Sequence, residues 1–99
     1  VRTLGLPATP ERALMGRAYE NYATAQALHV AAHNALRRAL RTAGYQGRRL
    51  DVDALGDHTR DRAVKDALSV AAETAIYLAD AKAQYAAARL AAETAGRAA

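Results

Sequence analysis

The chain has 99 residues, a formal charge of +4 and no cysteine, which bounds it to one domain and excludes a disulfide framework or thiolate chemistry. Its apolar fraction of 52% overstates the core, because much of it is alanine and Trp and Phe are absent. Alanine buries little area, whereas each fully buried Leu contributes about 1.5–3 kcal/mol, so one copy has little with which to hold itself together.

Residues 1–8, VRTLGLPA, read as an N-terminal arm, and 9–99 as a single helical-hairpin domain. The arm lacks the continuous apolar core of a signal peptide, and no stretch reaches the roughly 20 apolar residues of a membrane span. The expected setting is cytoplasmic or virion-associated, with no membrane partner; export without a cleavable signal fits as well. A helix is expected over about 10–43: Thr9 can cap it, Pro10 suits its first position, and Gly44 can end it. Residues 44–57, GYQGRRLDVDALGD, form a connector in which LDVDAL can close the end of the bundle. Asp57 or Thr59 can cap a second helix over about 58–95. The tail AAARLAAETAGRAA has only Leu90 as a large anchor and is expected to fray unless a neighbour holds it.

The apolar residues fall in heptad rows. On the first helix Met15, Tyr22, His29, Leu36 and Ala43 share one row, beside the all-alanine row Ala18, Ala25, Ala32 and Ala39, which lets a facing helix approach closely. On the second, Val64, Ala71, Leu78, Tyr85 and Ala92 run beside Ala67, Thr74, Ala81 and Ala88. Leu68 and Ala75 widen this arc on one side, Val70 and Tyr77 on the other, while Asp66, Ser69, Glu73 and Asp80 form a polar stripe. The expected fold is all-α: an antiparallel hairpin of two long helices with a short connector, completed as a bundle by oligomerisation. The expected interface residues are Ala18, Tyr22, Ala25, His29, Ala32, Leu36, Ala39, Val64, Leu68, Ala71, Leu78 and Tyr85.

Chemistry is sparse. His29 and His33, one turn apart, could begin a metal site, and a histidine among alanines leaves room for haem. A metal needs a third ligand. Glu73, the nearest acid across the hairpin by sequence, lies on the outward polar stripe, and Val30 stands where a zincin motif needs Glu. The favoured reading is a seam histidine hydrogen-bonded across the helices, with no metal and no cofactor. Arg37, Arg38, Arg41, Arg48 and Arg49 gather near the connector and could bind an anion or nucleic acid. Asp51, Asp53, Asp57 and Asp61 follow and can neutralise them, which favours a solvated, paired end. No catalytic set is visible: the acids sit apart, no Ser–His–Asp trio occurs, and GYQGRR lacks a P-loop pattern. The chain is therefore read as no enzyme.

The two-helix plan with its glycine-bearing connector resembles the WXG100 hairpins exported by specialised secretion systems. The resemblance is architectural: the Trp-x-Gly turn of those proteins is missing here, with GYQG a distant stand-in, and so is their Tyr-x-x-x-acid signal, since Tyr77 precedes Asp80 by three positions and Tyr85 is followed by Arg89. The expected function is structural: a homo-oligomer, or a subunit of a larger assembly such as a phage virion, built through alanine-rich seams. Alternatives are a module for an anionic partner or nucleic acid at the arginine end, a His29-based metal or haem bundle, and an exported WXG100-like hairpin.

Overall fold

A computed structural model describes residues 9–98; the N-terminal arm at 1–8 lies outside the described residues. The order is a long helix α1 (Pro10–Thr42), a single turn α2 (Val52–Leu55), a 3-10 turn (Gly56–Arg60) and a second long helix α3 (Arg62–Ala98). The described residues include no strand. α1 packs along α3 as a hairpin, in a rod of 59 × 28 × 19 Å.

Local chemistry sets each boundary. The Thr9 hydroxyl accepts from the Arg12 N–H at 3.1 Å, with Pro10 in the first turn where its missing N–H costs nothing. At the other end, Gly44 takes φ 98°, a conformation that L side chains rarely adopt. This turns the chain so that the Tyr45 N–H reaches the Leu40 carbonyl at 2.8 Å and the Gly44 N–H reaches Arg41 at 3.1 Å, a Schellman closure.

The second long helix starts later than the sequence suggests. Neither Asp57 nor Thr59 caps it. Residues 56–60 wind as a 3-10 turn, within which the Thr59 hydroxyl donates to the Gly56 carbonyl at 2.9 Å. Asp61 takes the capping position instead, accepting the Val64 N–H at 3.1 Å. Asp51 likewise caps α2 through the Ala54 N–H at 2.9 Å. At its far end α3 stays helical to Ala98 rather than ending near 95, with Ala88, Ala92 and Ala95 half-buried.

The core between the helices changes character along the rod. At the connector end Leu36, Leu40, Leu55 and Val64 are almost completely buried and pack with Ala32 and Ala71, while Tyr45, Leu50 and Leu68 lean on them. At mid-rod the seam narrows to Ala25, Ala32 and the His29–Thr74 pair. Toward the open end it becomes aromatic: Tyr85 stacks on Tyr22 at 5.8 Å and meets the edge of Tyr19 at 5.4 Å. Of the eight buried apolar residues described, four are alanines. The large residues left exposed include Leu14, Leu28, Val30, Val70 and Tyr77, with Ile76 at 71%.

Candidate functional site: the histidine seam and the arginine end

The expected interface residues lie in the contact between α1 and α3 of one chain. Ala25, Ala32, Leu36, Val64 and Ala71 are buried; Ala18, Tyr22, His29, Ala39, Leu68, Leu78 and Tyr85 are half-buried. The single-chain hairpin occupies these rows itself. Exposed apolar surface remains in the flanking positions, among them Val70, Ala75 and Tyr77.

Helix α1 places His29 and His33 one turn apart, their rings meeting edge to face at 4.4 Å between centroids and 77° between planes. His29 reaches across the seam, its Nδ1 3.0 Å from the Thr74 hydroxyl oxygen. That hydroxyl donates its one proton to the Ala71 carbonyl at 3.0 Å, so it can only accept from His29. With the Thr74 proton on the Ala71 carbonyl, the ring takes the tautomer in which Nδ1–H donates to Thr74, and Nε2 is its remaining polar atom. Glu73 is exposed, on the outward side of α3. Among the described residues no group of three or more His, Asp or Glu stands close enough to hold a metal ion. Burial, then His29, then Arg37 hold the pKa of His33 below its ordinary value, since each penalises a second positive charge in a half-dry setting.

At the connector end the arginines divide by what they meet. Arg49 is bound by Asp51 at 2.9 Å. The Ala54 N–H first, and then Arg49, hold the Asp51 carboxyl below the usual carboxylate range. Arg37, Arg41 and Arg48 line one cleft with Leu40, Tyr45 and Leu50; Arg38 is exposed on α1. The expected neutralisation by Asp51, Asp53, Asp57 and Asp61 is confined to the Arg49–Asp51 pair, among the described residues. Asp57 instead meets Arg60 at 4.0 Å, and Asp61 holds the start of α3. Asp51 and Asp61 are instead turned to helix starts, where unpaired backbone N–H groups need acceptors.

Tyr45, the aromatic of the connector, packs on the core at the end of the rod. Its hydroxyl donates to the Arg49 carbonyl at 2.6 Å, and its ring meets His58 edge-on at 5.3 Å. A side chain at Gly47 would run into the Tyr45 ring, so glycine there lets the loop fold under it. Leu40 is the core residue that the heptad rows miss. It lies just outside them and is buried because the connector folds over it; the leucines at 50 and 55 are the signal that could have found it.

Comparison with protein-family models, with curated proteins and with solved structures finds no match for this chain. No helix among the described residues is long and apolar enough to cross a membrane.

Proposed function

We propose that the chain is a non-enzymatic structural protein whose hairpin completes its core against further copies of itself, in a closed oligomer or as a repeated subunit of a larger particle such as a virion. The observation that carries this reading is the apolar surface a single hairpin leaves in water: Leu14, Leu28, Val70 and Tyr77 are each 40–53% exposed. They lie in two rows with seven-residue spacing, Leu14–Asn21–Leu28–Ala35 on α1 and Ala63–Val70–Tyr77–Gln84–Ala91 on α3. Leu14 and Asn21 line one shallow depression together with Gln84, Ala18, Ala88 and the flanking Arg17, which supports placing both rows on the same side of the rod.

Neither row carries a charged residue. Copies can therefore meet along them without like-charge repulsion, and large residues alternate with small ones in a pattern suited to interdigitation. A bundle of two or more hairpins would bury these rows and supply the burial that four alanines do not.

Sedimentation equilibrium tests the reading. The expected result is a particle holding two or more chains at micromolar concentration. A stably folded particle of 10.5 kDa, the mass of one chain, would remove its basis.

A further inference from the structure

We propose that the cleft between the end of α1 and the connector is a binding site for a small phosphorylated molecule, held by Arg37, Arg41 and Arg48. The three side chains line a single cavity of about 240 Å³ together with Leu40, Tyr45 and Leu50. Clustered arginines are usually answered by carboxylates. Here, among the described residues, none of the three has an acidic oxygen within 4.0 Å. Of the four acids that follow in sequence, three are engaged elsewhere: Asp51 with Arg49 and the start of α2, Asp57 with Arg60, and Asp61 with the start of α3; Asp53 is exposed and pairs with none of the three arginines. Residues 1–8 contain no Asp or Glu to supply one.

The carbonyl end of a helix ordinarily repels an anion. In α1 that end is closed by its own chain. The Ala39, Leu40 and Arg41 carbonyls accept the N–H groups of Ala43, Tyr45 and Gly44 respectively, which reduces the negative field facing the cleft. The wall is also braced. Leu40 is 1% exposed, and the Tyr45 hydroxyl ties the loop to the Arg49 carbonyl. Guanidinium forks match phosphate oxygens two at a time, and the half-buried Leu50 and Tyr45 offer contact to the apolar part of a ligand. A volume of this size admits a phosphate or pyrophosphate group with a small attached body. A nucleic-acid backbone instead needs a basic stripe along which to run.

The test titrates the full chain with inorganic pyrophosphate by calorimetry, first at low salt and then at 150 mM. Arg37→Gln/Arg41→Gln/Arg48→Gln serves as the binding-deficient variant and Arg97→Gln, at the far end of α3, as the charge control. All four arginines are exposed, so the helical signal of both variants should match the parent. The expected result is one pyrophosphate per chain, weakened at least tenfold by the triple substitution and unchanged in the control. Absence of binding, or an equal loss in both variants, overturns the proposal. So does an oligonucleotide that binds through the same arginines when pyrophosphate does not.

Discussion

At the scale of single residues, the alanine row explains more than His29, the histidine in the row beside it. Ala25 is wholly buried and Ala32 nearly so, because the facing helix sits against them. Leucine at either position has no room. Ala25→Leu and Ala32→Leu should each cost about 1–3 kcal/mol in chemical denaturation, as overpacked cores do; wild-type stability would place that face in solvent. Thr74 acts as a relay, accepting from His29 while donating to Ala71. Thr74→Val leaves the His29 N–H without its partner and should cost about 1 kcal/mol, whereas Thr74→Ser should restore most of it.

His33 makes stability depend on pH. Its folded pKa lies below the ordinary value of 6.5, so the unfolded chain takes up a proton at a higher pH than the folded one. Stability should be full above that value and fall as pH drops through it toward the lowered folded pKa. His33→Gln should flatten the pH 7 to pH 5 limb of a urea-midpoint profile. A limb as steep as the parent's would assign the dependence to other groups.

At the scale of elements, the rod is fastened at one end. Its four large buried side chains, Leu36, Leu40, Leu55 and Val64, all belong to the connector end. Leu55 comes from the four-residue helix α2, which has no other buried residue. Leu55→Ala should therefore cost about 2–5 kcal/mol and loosen the connector before the mid-rod, visible as lost amide protection near residues 36–40 ahead of residues 25–32.

How far the sequence could be read follows from the same elements. The long helices were legible because Thr9, Pro10 and Gly44 are strong local signals and the heptad rows are unbroken. The start of α3 was not: Asp57, Thr59 and Asp61 all suit a cap, and the choice depends on how the connector must return to the seam. The arginine cleft was half legible. The cluster shows in the letters, but where the carboxylates turn is a matter of three-dimensional distance.

At the scale of the whole molecule, a slender hairpin with a partly alanine core leaves large apolar side chains such as Leu14, Leu28, Val70 and Tyr77 exposed on both helices. Burial by copies of itself accounts for that pattern and for the uncharged rows flanking the seam. The most direct measurement of this account is the thermal midpoint over a hundredfold range of protein concentration, for the parent chain and for Leu28→Lys/Tyr77→Lys. When folding and association are coupled, the midpoint rises with concentration. The account predicts that rise in the parent, and a lower midpoint independent of concentration in the double variant. A parent midpoint that does not move with concentration would contradict it.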